Sequence, residues 1–149
     1  MMGLDTLPVE AAHLDCSVVI CAYTEARWPP LVAAVASVHR QTLAACEVIV
    51  VIDHNPALYA RAQTHLTKVK LIENWGPPGL SGARNSGIAQ AQGAVIAFLD
   101  DDASASPDWL ACLLPVYANP RVVGAGGAIA SDWAQGRPRW FPAEFDWVV

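Results

Sequence analysis

Residues 95–102, with the sequence VIAFLDDD, join five apolar residues to three consecutive carboxylates. An uninterrupted apolar run of this length, preceded by Gly93, is typical of a strand buried on both faces of a parallel sheet. The acids Asp100, Asp101 and Asp102 then emerge at the carboxyl end of that strand, where open α/β sheets bind ligands. Two unit charges about 5 Å apart repel by roughly 3 kcal/mol at an effective dielectric constant near 20. The carboxylates therefore either splay into water at a turn or are held together by a cation.

Length and composition describe one folded domain. The chain has 149 residues, of which 54% are hydrophobic and 15% charged, so it can build a compact core. Its net charge is −5 and it has no basic run, which argues against nucleic acid or an anionic membrane as partner. No apolar run reaches the length of about 18 residues that a membrane span requires. The four cysteines show no C-x-x-C pairing, and the N-terminus lacks a basic n-region, so we expect reduced thiols in a cytoplasmic protein.

The rest of the chain alternates β-branched runs with helical patterns. We predict strands at about 17–22, 47–53, 69–73, 95–99 and 122–129, with helices at about 29–41, 56–66, 81–92 and 106–118. Such alternation indicates βαβ units and a mostly parallel, Rossmann-like α/β sheet with helices on both faces. We expect residues 1–15 to form a loose leader. Residues 131–149 are aromatic and irregular, and the apolar ending suggests a cut through a larger domain.

Several polar residues follow the carboxyl ends of predicted strands and should meet at one edge of the sheet. They are Glu25, Asp53 and the three consecutive acids. At the same edge, residues 79–85 present backbone N–H groups at a helix N-terminus with Arg84 in its first turn, an arrangement that favours anions. Acids beside an anion site are compatible when a divalent cation bridges them. The pattern therefore predicts a nucleotide-diphosphate ligand with Mg²⁺ or Mn²⁺.

Each of these residues also has a purely structural interpretation. Arg84 alone is most simply a surface salt-bridge residue, Glu25 a solvated loop acid, and Asp53 a cap for the helix that follows it. The acidic turn could serve only to start the next helix. Their shared position at one sheet edge favours a binding site over these separate roles.

Two strings and a glycine between them resemble the family 2 glycosyltransferases. They are residues 82–87 (GARNSG), then Gly93, then residues 98–102 (FLDDD). Segments 17–23, 41–42 and 47–53 are similar to the same family's opening segments, in order, so the resemblance covers about residues 16–130. It implies the GT-A fold and metal-dependent transfer of a sugar from a nucleotide-diphosphate sugar to an acceptor hydroxyl, with inversion. It also implies that residues 16–130 form the donor-binding domain and that residues 131–149 lead into a missing acceptor-binding region.

The resemblance assigns roles to four residues outside the acidic triplet. It places Tyr23 and Glu25 in the loop that borders the base, Asp53 on the base, and Arg84 near the diphosphate. The family commonly has paired acids followed by glycine and serine where this chain has residues 52–55 (IDHN). The identity of the nucleotide therefore stays open.

Within the triplet, the resemblance identifies Asp100 and Asp102 as an Asp-x-Asp pair, with Asp100 toward the ribose and Asp102 on the metal. Asp101 fills the variable middle place in the nucleotide-sugar site and is expected to contribute least. The catalytic base is unassigned, because the family places it in the acceptor-binding half. Glu144 and Asp146 are acids in that direction, but no motif identifies either as the base.

Other protein classes fit less well. A dinucleotide-binding motif at residues 123–127 would need its third glycine where Ile129 stands. A phosphoacceptor receiver domain would need an acid pair after the first strand and a lysine after the fifth. A sugar nucleotidyltransferase would carry a glycine-rich basic loop where residues 23–27 (YTEAR) stand. The main alternative is a non-catalytic nucleotide-sugar-binding fragment without its acceptor half.

Overall fold

The computed structural model describes residues 14–133, 136–142 and 144. Most of the predicted leader, and Phe145, Asp146 and Trp147 of the aromatic segment, lie outside the described residues. The elements, in chain order, are β1 (Cys16–Ala22), a 3₁₀ turn (Glu25–Arg27), α1 (Trp28–His39), β2 (Glu47–Ile52), α2 (Pro56–His65), β3 (Lys70–Glu73), α3 (Leu80–Gln90), β4 (Val95–Asp100), α4 (Trp109–Leu113) and a second 3₁₀ turn (Leu114–Ala118).

The strands form one parallel sheet in the order β3-β2-β1-β4. Val19 lies at the centre of the register, opposite Ile49 on one side and Phe98 on the other. The parallel sheet with intervening helices confirms the predicted Rossmann-like α/β fold.

Helices cover both faces of the sheet. On one face, α1, α2 and α4 bury Leu31, Leu58 and Leu110 against the alternate β1 and β2 residues, in the larger of two apolar clusters. On the other face, α3 packs Ala83 against Val19. The α3 helix approaches so closely that a Cβ built on Gly87 would lie 2.5 Å from Val19 Cγ1. The small residues Ala83 and Gly87 on α3 therefore permit the close contact between helix and sheet.

Two predictions about the sheet were wrong. Residues 95–99 do not form a strand buried on both faces, because β4 lies at the edge of the sheet and its residues are half-buried or exposed. Instead, β1 and β2 are the buried central strands. The predicted fifth strand at 122–129 has no regular secondary structure. Three glycines in that run weaken its strand preference, since glycine adds no packing and loses the most backbone entropy.

The connections that follow the strands match their sequence signals closely. Asn55 caps α2, its Oδ1 accepting from Leu58 N at 3.0 Å, with Pro56 as the first helical residue. The helix predicted over 106–118 is divided into the short α4 and the second 3₁₀ turn. Within the part of the chain that the structure describes, no helix has the length and apolarity to cross a bilayer.

A buried glutamine fixes the chain just after the acidic triplet. Gln41 Nε2 donates to Ser106 O at 2.6 Å, and its Oε1 accepts from Leu110 N at 3.0 Å. Ser37 Oγ accepts from Ala105 N at 3.0 Å in the same region. These bonds tie the end of α1 to the segment between β4 and α4, so the position of the acids is set by the core.

Candidate functional site

A cleft of about 470 Å³ lies at the carboxyl edge of the sheet, where β1, β2 and β4 end. Five of the residues singled out from the sequence line it, and all follow or end a strand. The lining residues are Cys21, Ala22, Tyr23, Arg27, Asp53, Gly79, Leu80, Ala83, Asp100, Asp101 and Asp102. Glu25 and Arg84 lie beside the cleft rather than in its lining. Glu25 is exposed on the first 3₁₀ turn, and Arg84 reaches the cleft only through Asp100.

The three consecutive aspartates have different environments. The side chain of Asp101 is 5% exposed, against 64% for Asp100 and 48% for Asp102. Arg84 Nη2 lies 3.2 Å from Asp100 Oδ1. Arg27 Nη1 lies 3.1 Å from Asp101 Oδ1 and 3.2 Å from Asp102 Oδ2, so one guanidinium nitrogen joins two carboxylates. Two arginines therefore hold the repelling acids together.

Asp101 is the buried member of the triplet. Burial raises the pKa of its carboxyl above the usual range, and the hydrogen bond from Arg27 only partly opposes this effect. Among the described atoms, Asp101 Oδ2 is buried and has no hydrogen-bond partner. A buried carboxylate oxygen without a partner is costly, and the bond from Arg27 to the other oxygen, Oδ1, offsets part of that cost.

Asp53 is held by three donors at the end of β2. Its Oδ1 accepts from Asn74 Nδ2 at 2.6 Å and lies 2.8 Å from His54 Nδ1, while its Oδ2 accepts from Gly79 N at 2.7 Å. Burial alone would raise the pKa of the Asp53 carboxyl, but the hydrogen bonds from Asn74, His54 and Gly79 outweigh it and lower that pKa. Asp53 is therefore a fixed carboxylate that can only accept hydrogen bonds.

Asn74 is a site residue that the sequence reasoning missed. It is 5% exposed, and its Nδ2 also donates to Pro77 O at 2.9 Å. Its Oδ1 accepts from Gly76 N and from Ser86 Oγ, both at 2.8 Å. One amide thus joins Asp53, the 76–79 loop and α3. Its position directly after β3, equivalent to that of Asp53 after β2, is the signal that could have identified it.

Two further lining residues, Arg27 and Cys21, were not assigned to the site from the sequence. Arg27 ends the first 3₁₀ turn, and its guanidinium carbon lies 5.8 Å from the centre of the Tyr23 ring. Cys21 lies on the floor of the cleft, where burial raises the pKa of its thiol to about 11. At neutral pH that thiol is protonated, so it contributes packing rather than a nucleophile or a soft metal ligand.

The carboxylates of the cleft suit a hard divalent cation that takes most of its ligands from water and from a bound molecule rather than from the protein. Within the described residues, no three His, Cys, Asp or Glu side chains are arranged to hold a metal by themselves. Asp102 nevertheless presents a half-exposed carboxylate to the cleft. Mg²⁺ characteristically binds through one or two carboxylates together with substrate phosphates and water. The residues therefore fit a divalent ion that binds Asp102 and takes further ligands from water and from a phosphorylated molecule.

The family model for glycosyl transferase family 2 matches residues 17–146, so the chain belongs to that family. Glucosyl-dolichyl phosphate glucuronosyltransferase of Haloferax volcanii is 37% identical over 140 residues, which cover 91% of this chain and 45% of the relative. Succinoglycan biosynthesis protein ExoM of Rhizobium meliloti is 27% identical over 139 residues, covering 90% of this chain and 44% of the relative. The chain spans less than half the length of these relatives.

Solved structures confirm the GT-A fold. Mannosyltransferase PcManGT from Pyrobaculum calidifontis, in complex with GDP-Man and Mn²⁺, matches with a TM-score of 0.61 and 24% identity over 73% of this chain and 34% of that one. S. aureus TarS 1-349 in complex with UDP-GlcNAc matches with a TM-score of 0.54 and 19% identity, over 78% of this chain and 38% of that one. At these identities the likeness concerns the fold alone.

Proposed function

We propose that this chain supplies the donor site of a glycosyltransferase that transfers a sugar from a nucleotide-diphosphate sugar to an acceptor hydroxyl with inversion. One observation carries the proposal. In a chain of this family, Asp53 and the three consecutive aspartates line a single cleft at the carboxyl edge of the sheet. Residues 16–130 form the donor-binding domain in this proposal, and residues 131–149 lead toward an acceptor-binding region.

The charge of the cleft explains why a cation belongs to the proposal. Among the described lining residues there are four carboxylates and one guanidinium, with Arg84 paired to Asp100 from the side. A nucleotide diphosphate would meet net negative charge there, and the low dielectric of a cleft strengthens the repulsion. We assign Asp102 to a divalent cation, Mg²⁺ or Mn²⁺, which when bound neutralises charge on the diphosphate leaving group.

The chain's own residues bind and orient the donor. Asp53, fixed by Asn74 and the Gly79 N–H, accepts hydrogen bonds from the base. Tyr23, which is 57% exposed at the end of β1, borders the base together with Glu25. Asp100 accepts from the ribose, and Arg84 stands beside it, near the diphosphate. The acceptor hydroxyl loses its proton to a base outside the recognised motifs.

The leading alternative is a donor-binding module without catalysis of its own. The acceptor side of the reaction has no residue assigned within the described chain, and the exposed Glu144 makes none of the described contacts with the cleft. A sugar nucleotidyltransferase is less favoured, because residues 23–27 contain no glycine and Glu25–Arg27 form a 3₁₀ turn rather than a glycine-rich triphosphate-binding loop. We also keep the prediction of a cytoplasmic protein, which its four free cysteines support.

A thermal-shift panel tests this proposal. The protein is heated with UDP, GDP and their sugar conjugates, each with and without Mn²⁺, and with Mn²⁺ alone. We expect at least one nucleotide to raise the melting temperature only when Mn²⁺ is present, because ligand binding to the native state stabilises it by mass action. If no nucleotide stabilises the protein under either condition, the donor-site proposal is wrong. An assay for free sugar or glycosylated acceptor then distinguishes the two proposals. An enzyme forms one of these products from the nucleotide sugar, whereas a binding module forms neither.

A further inference from the structure

Arg27, at the end of the first 3₁₀ turn, pairs with two of the three carboxylates of the acidic triplet. The ion pairs to Asp101 and Asp102 both use Nη1, at 3.1 and 3.2 Å. Among the described contacts, Nη2 and Nε make no hydrogen bond to either acid. The guanidinium thus has donors left for an anion while it remains attached to the protein.

The two ion pairs differ in how easily they separate. Asp101 is buried, so its pair with Arg27 is little screened, and separation would leave a desolvated charge behind. Asp102 is 48% exposed, and pairs between solvated groups contribute little because water screens them. A group that competes with Arg27 for these carboxylates would therefore displace it from Asp102 and leave its bond to Asp101 intact.

A divalent cation is such a competitor. The cation proposed above requires the Asp102 carboxylate, and a guanidinium on the same carboxylate repels it. We propose that Arg27 and the cation compete for Asp102, and that the displaced guanidinium, still held by Asp101, binds the diphosphate of the donor. Arg27 is then a donor-binding residue, and Asp101 positions it. This inference rests on the proposed function of the cleft.

The proposal reverses the role expected for Asp101. The middle acid of the triplet fills a variable place in the family pattern and faces neither metal nor ribose in the sequence-based assignment. In the structure it is the acid that keeps Arg27 at the cleft when the second partner leaves. The buried Asp101 is suited to that task, because its ion pair with Arg27 is screened less by water than the pair with Asp102.

Two binding measurements on Arg27→Met test the competition. Mn²⁺ binding to the protein alone, followed by electron paramagnetic resonance, should become tighter by about five-fold, the upper range for loss of a solvated ion pair. Calorimetric affinity for UDP or GDP in saturating Mn²⁺ should fall by about 10- to 100-fold, as expected when a hydrogen bond to a charged group is lost. Opposite shifts in the two affinities would not result from a merely structural role, which lowers both or neither.

Controls separate the possible causes. Arg40→Met removes the same charge from an exposed residue just after α1, toward the opposite edge of the sheet, and should leave both affinities unchanged. Since Arg27→Met leaves Asp101 without its partner, the double variant with Asp101→Asn removes the buried charge and should show the same opposite shifts. If Arg27→Met binds Mn²⁺ no more tightly than the parent, or keeps full nucleotide affinity, the inference is wrong. If the parent itself binds neither Mn²⁺ nor nucleotide, the proposed donor site is wrong, and the inference about Arg27 is wrong with it.

Discussion

Replacing Asn74 by alanine removes four hydrogen bonds that hold the site together. Nδ2 donates to the Asp53 carboxylate and to Pro77 O, and Oδ1 accepts from Gly76 N and Ser86 Oγ. At about 1 kcal/mol for each neutral bond and about 2 kcal/mol for the charged one, Asn74→Ala should lower the free energy of unfolding by about 5 kcal/mol. For a domain of this size that is a fall in melting temperature of about 10–20 °C.

Asn74→Asp gives a test that keeps the shape of the side chain. An oxygen would replace Nδ2 at 2.6 Å from Asp53 Oδ1, so two carboxylates would repel and one of them would acquire a raised folded-state pKa. The destabilisation is then fully present at neutral pH and is relieved as the pH falls and one acid takes up a proton. In the parent, the lowered pKa of Asp53 has the opposite consequence, because its stabilising contribution is lost as the pH falls through the folded-state pKa.

Urea unfolding followed by circular dichroism at pH 7 and pH 4.5 measures the effect of Asn74→Asp, since both values lie above the range in which the parent loses the contribution of Asp53. The difference in the free energy of unfolding between Asn74→Asp and the parent should become smaller at the lower pH. Asn74→Ala should remain less stable than the parent at both pH values. Asn85→Ala is the matched control, since Asn85 is exposed on α3 and should change stability by less than about 0.5 kcal/mol. A loss below about 1 kcal/mol for Asn74→Ala would refute the idea that this amide organises the site.

Three further substitutions test packing and hydrogen bonds around the sheet: Gly87→Ala, Ser17→Ala and Glu47→Gln. Gly87→Ala puts a Cβ 2.5 Å from Val19 Cγ1 and should lower the free energy of unfolding by about 1–3 kcal/mol. The double variant with Val19→Ala should recover part of this loss, because it removes the clashing side chain. If the losses of the two single variants simply add, the two residues are not in contact. Ser17 Oγ donates to Glu47 and accepts from Gly93 N, so Ser17→Ala should cost about 2 kcal/mol in urea unfolding at pH 7. Burial raises the pKa of the Glu47 carboxyl, but its hydrogen bonds, including the one from Ser17, outweigh this effect and lower that pKa. The contribution of ionised Glu47 to the free energy of unfolding is therefore lost as the pH falls below about 4.5. If Glu47→Gln kept the pH dependence of the parent, this role of Glu47 would be disproved.

Sequence reasoning located the fold and the edge of the sheet that carries the cleft. Apolar runs ending in acids gave the strands and their direction, and the helical patterns between them gave the connections. Parallel topology then required Asp53 and the triplet to converge, because parallel strands present their carboxyl ends at one edge. The confirmed family membership depends on the same strings of residues.

The part that could not be predicted is which partner each polar group finds. A run of three acids does not show that Asp101 is buried while Asp100 and Asp102 face water, since that depends on where β4 ends and the chain turns. Arg27 lies 74 residues from Asp101, and Asn74 lies 21 residues from Asp53. Pairing over such separations is not visible in local patterns. Burial of residues 95–99 was overestimated because an apolar run does not distinguish a central strand from an edge strand.

Calorimetric titration of UDP and GDP into the parent and Asp102→Asn, with and without Mn²⁺, tests the central claim most directly. We expect the parent to bind one nucleotide more tightly with Mn²⁺ and the variant to lose that gain while its circular dichroism spectrum is unchanged. Asp15→Asn, the same charge change on an exposed acid just before β1, should behave as the parent does. Equal Mn²⁺-dependent affinity in Asp102→Asn and the parent would contradict a metal and diphosphate site built on this triplet.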